Sequence, residues 1–249
     1  MLRLLKCEYV KLKRSGLLLI GILGTLIVPM FVYVKAITAC FLNPGTAMSL
    51  FSLYDDAFMF LMRLFAPMVL TVLHAWIISR EYTDGTLKNL LTIPVSKTTF
   101  LWGKLLFLAV LTFLFMLISW LEILGLAFLC SFFVPVTELT VPSALFFLAR
   151  MLFGGCFLCA TQSPFIYLTI RSRGSVIPLI TIAAVSLVNV VLSNSPIAGF
   201  YPWSASYLLA SGRLSVQYGS KGVSMAIILA MCLVGIVASL LRFGKQEVK

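Results

Sequence analysis

The sequence predicts an all-α integral membrane protein, one domain over residues 1–249, with six transmembrane helices and both termini in the cytoplasm. Three observations predict it. Hydrophobic residues make up 61% of the 249 positions and charged ones only 11%, whereas a soluble domain carries roughly 25% charged residues. The apolar residues gather into six runs near the ~20 residues that cross hydrocarbon. The lysines and arginines fall almost entirely on one side of those runs, as cytoplasmic loops require. The same composition excludes a disordered chain, which needs little hydrophobicity and much charge. It also argues against a nucleic-acid partner, because the basic residues flank apolar runs instead of forming one patch.

The head, Met1 to Ser15, places Leu2, Leu5, Tyr9 and Leu12 at helical spacing, with Arg3, Lys6, Lys13 and Arg14 on other faces. That pattern predicts an amphipathic helix lying in the membrane interface. The predicted spans are 16–34, 57–78, 105–130, 144–170, 175–192 and 223–241. Arg3, Lys6, Lys11, Lys13, Arg14, Arg80, Lys88, Lys97, Lys104, Arg171, Arg173, Arg242, Lys245 and Lys249 then share one side; Lys35, Arg213 and Lys221 occupy the other. The excess marks the first side as cytoplasmic, and it favours anionic lipid headgroups. The chain is expected in a bacterial plasma membrane, surrounded by lipid.

The first span has no charge; the second, third and fourth hold Arg63, Glu122 and Arg150. Counted from the outer ends, Arg63 and Arg150 lie roughly 9 Å deep and Glu122 roughly 12 Å deep. A strong charge at that depth needs a partner or a wet cavity. The three are therefore expected to form an intramembrane polar cluster, a structural pair, or a site for substrate or a lipid headgroup. Asp55 and Asp56 are rival partners for Arg63.

Between the second and third spans runs Glu81-Tyr82-Thr83-Asp84-Gly85-Thr86-Leu87-Lys88-Asn89-Leu90-Leu91-Thr92-Ile93-Pro94-Val95-Ser96-Lys97. Leu87, Leu90 and Leu91 share one helical face. Gly85 permits a sharp turn into the helix and Pro94 ends it. A helix of about two turns is not stable alone in water, so it must dock on lipid, on its own bundle or on a soluble partner. Before the last span, Phe200-Tyr201-Pro202-Trp203 and Tyr207-Leu208-Leu209 predict a short re-entrant or interfacial helix.

Catalytic chemistry is missing from this reading. The chain has no P-loop pattern, no G-x-S-x-G elbow and a single histidine, His74. The six cysteines, including the Cys156-x-x-Cys159 pair, lie mostly in or beside apolar runs and are expected to be small buried hydrophobes. No catalytic residue, bound metal or cofactor is expected on this chain.

The basic head Cys7-Glu8-Tyr9-Val10-Lys11-Leu12-Lys13-Arg14, the six spans, and the loop residues Glu81, Gly85, Thr86, Leu87, Leu90, Pro94, Ser96 and Lys97 with Lys104 following together resemble the membrane subunits of ABC-2-type transporters. The resemblance is to small bacterial permeases of the bacitracin-resistance and lantibiotic-immunity types, and it covers the whole chain. It implies that Glu81, Asp84, Gly85, Thr86, Leu87, Leu90, Leu91 and Pro94 belong to a coupling helix seated on a separate ABC ATPase subunit. That subunit would bind ATP and Mg. It further implies a second permease copy, as a homodimer or a related heterodimer, and an exporter or extractor without a large extracellular domain. Two other classes stay open: a proton-coupled transporter using Glu122, and a membrane adaptor that transports nothing.

Overall fold

The computed structural model describes residues 2–13, 15–42, 47–85, 96–214 and 219–245. The predicted loop helix carried by Thr86, Leu87, Leu90, Leu91 and Pro94 lies outside the described residues. In chain order the helices are α1 (Leu2–Lys13), α2 (Leu17–Leu42), α3 (Leu50–Phe60), a π-turn (Leu61–Phe65), α4 (Ala66–Thr83), α5 (Lys97–Cys130), α6 (Val141–Ser172), α7 (Val176–Leu192), α8 (Pro202–Ala210) and α9 (Lys221–Gly244). A short parallel ladder, β1 (Met48–Ser49) against β2 (Val136–Thr137), ties the start of α3 to the connection before α6.

Among the described residues, five helical runs are long and apolar enough to cross a bilayer: Leu19–Leu42, Leu50–Thr83, Lys97–Cys130, Val141–Ser172 and Lys221–Gly244. The sixth predicted run coincides with α7, an apolar helix of 17 residues. At 1.5 Å per residue it measures roughly 26 Å, slightly under a ~30 Å hydrocarbon core. The chain is a multi-pass membrane protein built from these helices.

Except for α7, the helical runs extend past the apolar segments that announced them. Hydropathy marks the hydrocarbon, whereas the backbone stays helical until something stops it. At the start of α5 the stop is Ser96, whose Oγ accepts the N–H of Thr99 at 3.1 Å and caps the helix. Gly85, at φ +64°, does the same for α4, since that left-handed turn is open to glycine at little cost.

Within the second run the irregularity has a sequence cause. Pro67 lacks an N–H, so the carbonyl of Arg63 four residues earlier loses its helical donor. The π-turn at Leu61–Phe65 sits at this place. The freed Arg63 carbonyl accepts from Asn189 Nδ2 of α7 at 2.7 Å. Asn189 Oδ1 in turn accepts from Ser204 Oγ of α8. One proline thus ties three elements together.

α8 does not lie flat on a surface. Ser204, Ala205, Ser206, Tyr207 and Leu208 are all buried, so it packs within the bundle end. The cysteines correct a second expectation. Cys7 and Cys156 are exposed, and Cys40, Cys130, Cys159 and Cys232 are half-buried. Apolar residues of a spanning helix serve two faces, one toward the bundle and one toward lipid, so apolar surroundings in sequence do not dictate burial.

Candidate functional site

Two charged clusters stand at opposite ends of the bundle. One is at the head end, where α1, the end of α4 and the start of α5 converge. The other is at the far end, around α3, α6 and α8.

At the head end Glu8, Glu81 and Lys104 are 7%, 5% and 3% exposed. Glu81 Oε1 accepts from Lys11 Nζ at 2.8 Å and from Lys104 Nζ at 3.0 Å. Glu8 Oε1 lies 3.2 Å from Lys104 Nζ and 3.6 Å from Lys11 Nζ. Lys104 also donates to the Ile77 carbonyl at 3.3 Å and stands over the Phe100 ring. Two carboxylates and two ammoniums therefore alternate with balanced charge. Three of the four charges are buried and Lys11 is partly exposed, and burial of that kind is tolerable only with such pairing. Burial pulls the Lys11 amine down, but its hydrogen bond to Glu81 and the charges of Glu81 and Glu8 outweigh that and raise it above 10.5.

Arg80 completes this end. Its Nε donates to Asp84 at 2.7 Å, its Nη1 to the Lys11 carbonyl at 3.4 Å, and its guanidinium lies over Trp76. A cation at the last turn of α1 suits the negative end of that helix. Glu81, Asp84 and Gly85 thus occupy one arm of the loop, and Ser96, Lys97 and Lys104 the other.

The head helix forms, and the two members of the expected apolar stripe whose side chains are described, Tyr9 and Leu12, divide. Leu12 is buried but Tyr9 is 53% exposed, and Glu8 takes the inward position. Glu8 turns inward because Lys104 lies beneath it. The available signal was the lone acid, Glu8, in an otherwise basic head, and the lone Lys104 at the edge of an apolar run.

At the far end Asp55 divides its carboxylate between two arginines. Arg150 Nη2 lies 2.9 Å from Oδ1, and Arg213 Nη2 donates to Oδ2 at 2.6 Å. Arg213 Nη1 donates to the Tyr207 hydroxyl at 3.1 Å. The Arg150 guanidinium stands over Phe58 at 4.7 Å and that of Arg63 over Tyr207 at 4.3 Å; the two rings are 6.0 Å apart. Glu122 is turned elsewhere: it accepts from Thr25 Oγ1 of α2 at 2.9 Å. The structure therefore brings Arg63 and Arg150 onto neighbouring rings, with Asp55 in place of Glu122. Depth along a helix fixes height but not direction, which is why Glu122 looked like a member. Asp56, the other rival, pairs with Lys35 at 2.8 Å.

His74 is buried beside Thr112. Among the described residues no group of three or more His, Cys, Asp or Glu is placed to hold a metal ion.

Residues 4–193 match the family model described as an ABC-2 family transporter protein. The bacitracin transport permease protein BCRB of Bacillus licheniformis is 25% identical over 195 residues, which is 78% of this chain and 91% of that protein.

Proposed function

The chain belongs to the ABC-2 transporter family, and from that premise we propose that it is the permease subunit of an ATP-driven exporter that removes a peptide antibiotic, bacitracin-like or lantibiotic, from a bacterial plasma membrane. Six spans, α7 included, put the head end in the cytoplasm. The distribution of lysine and arginine supports that orientation. ATP and Mg belong to a separate ABC ATPase subunit, which docks on the face of Leu87, Leu90 and Leu91. A second permease copy completes the transporter.

The observation that carries this reading is the buried Glu8–Lys11–Glu81–Lys104 network. It grips both arms of the loop between Gly85 and Ser96, and it holds α1 as well. A push delivered to that loop by a soluble partner therefore reaches three helices at once. Transmission of this kind needs a rigid connection of packed and bonded groups. The similarity to a bacitracin transport permease supports the substrate class.

The test is made in an antibiotic-sensitive bacterium expressing the chain with its ATPase. Raised tolerance of bacitracin or of a lantibiotic is expected, together with co-purification of the ATPase. Leu90→Asp places a charge in an apolar docking face; it should release the ATPase and return tolerance to the host level while the permease stays in the membrane. Unchanged co-purification and tolerance in that variant would overturn the reading.

A further inference from the structure

We propose that the far-end cluster of Arg63, Arg150 and Arg213 is a binding site for a phosphate-type oxyanion carried on an amphiphile or free in solution. The charge count makes the case. In the head-end network two carboxylates, Glu8 and Glu81, meet two ammoniums, Lys11 and Lys104. At the far end, Arg150 and Arg213 share the single carboxylate of Asp55, so that group carries one more cation than acid. The neighbouring Asp56 is occupied by Lys35. Excess positive charge beside hydrocarbon is costly unless an anion joins it.

The donor geometry fits the same ligand. Arg150 and Arg63 stand over the faces of Phe58 and Tyr207. Stacking uses the flat face of a guanidinium, and its N–H donors point outward in the plane. A planar fork of this kind matches two oxygens of a phosphate. The Arg150 side chain is 9% exposed, and its Nε is buried without a hydrogen-bond partner. Arg213 is the accessible member, with 53% of its side chain exposed. The cluster thus runs from an exposed guanidinium to a buried one, along the side of α8. Ser204 and Asn189 hold that helix to the π-turn carrying Arg63, which fixes the spacing of the donors. The inference rests on the proposed function only for the side of the membrane that the site faces.

The full-length chain, purified in detergent free of phospholipid, is titrated with phosphatidylglycerol, with diacylglycerol and with sodium pyrophosphate, and bound species are counted by native mass spectrometry. Phosphatidylglycerol retained over diacylglycerol and not displaced by pyrophosphate identifies a lipid headgroup as the ligand. Pyrophosphate bound without lipid preference identifies a free phosphate. In either case Arg213→Gln and Arg150→Gln should weaken binding about tenfold, and Lys35→Gln at the same end should not. If Arg150→Gln does not fold, the half-exposed Arg213 still carries the test. Binding unchanged in the arginine variants, or weakened equally by Lys35→Gln, would overturn the proposal. The assay needs neither ATP nor an ATPase, so a chain that binds phosphate but confers no antibiotic tolerance would sink the exporter reading alone.

Discussion

Glu81 Oε1 and Lys104 Nζ meet at 3.0 Å, both closed from solvent, on the two helices that flank one loop. Neither charge has water to fall back on, so removing one leaves the other short of a buried counter-charge. Lys104→Met should take from Glu81 and Glu8 the buried cation that they share, leaving the partly exposed Lys11 beside them. The expected loss of stability is about 3–5 kcal/mol, read as a lowered melting temperature of the detergent-solubilised chain. Glu81→Gln combined with Lys104→Met removes one charge of each sign and should recover part of that loss. Equal destabilisation by the single and double variants would refute the pairing.

Lys11 makes a pH-dependent contribution of known sign. Its amine is raised above 10.5 in the folded chain, because Glu81 and Glu8 outweigh its burial. The protonated form therefore stabilises the folded state fully below the unfolded value, and that stabilisation is lost as pH rises through the raised one. The native chain should be more stable than Lys11→Gln at neutral pH, and the two should converge above pH 10.5. A probe on the exposed Cys7 of α1 would report release of the head helix over the same range. A gap that persists unchanged at high alkalinity would contradict the assignment.

Asp55 and Asp56 are adjacent in sequence but unequal in setting. Asp55 is the counter-ion of the buried Arg150, whereas Asp56 pairs with Lys35 where both are substantially exposed. Asp55→Asn should cost about 3 kcal/mol by leaving a buried guanidinium without its anion. Asp56→Asn should cost at most about 1 kcal/mol, as surface pairs do. Comparing the melting temperatures of the two variants checks this, and similar losses would count against the buried pair.

The sequence made some of this legible and hid the rest for physical reasons. Length and hydropathy reveal spans because hydrocarbon demands apolar runs of a given length, and each of the six runs contains a helix. Arg63 and Arg150 could be placed at one height by counting rise per residue. Their aromatic seats, Phe58 and Tyr207, could not, because which way a side chain points depends on how helices rotate against one another. Glu122 was misplaced for the same reason: it faces Thr25 on α2. Glu8 and Lys104 were visible as motif residues, but their contact joins positions nearly a hundred residues apart, which no local spacing encodes. The burial of α8 was hidden too, since Tyr201, Trp203 and Tyr207 look the same at a membrane interface as within a bundle end.

Gly235 of α9 faces Ser163 of α6 so closely that a Cβ added there would lie 2.5 Å from Ser163 Oγ and 2.8 Å from the Ser163 backbone carbon. The hydroxyl could rotate away, but the backbone carbon could not, so the two helices would have to part. Small residues permit such close approach in membrane bundles, where packing and hydrogen bonds replace the hydrophobic drive between helices. Separation would also stretch the bond from Ser163 Oγ to the Met231 carbonyl, already 3.4 Å long. Gly235→Ala should therefore destabilise the chain by about 1–3 kcal/mol, even though alanine favours helix. Gly125 of α5 has open space around its added Cβ, so Gly125→Ala should be neutral or stabilising. Thermal unfolding of both variants in the same detergent decides the matter: a loss confined to position 235 is expected, and no loss there would mean that α6 and α9 pack less closely than the geometry requires.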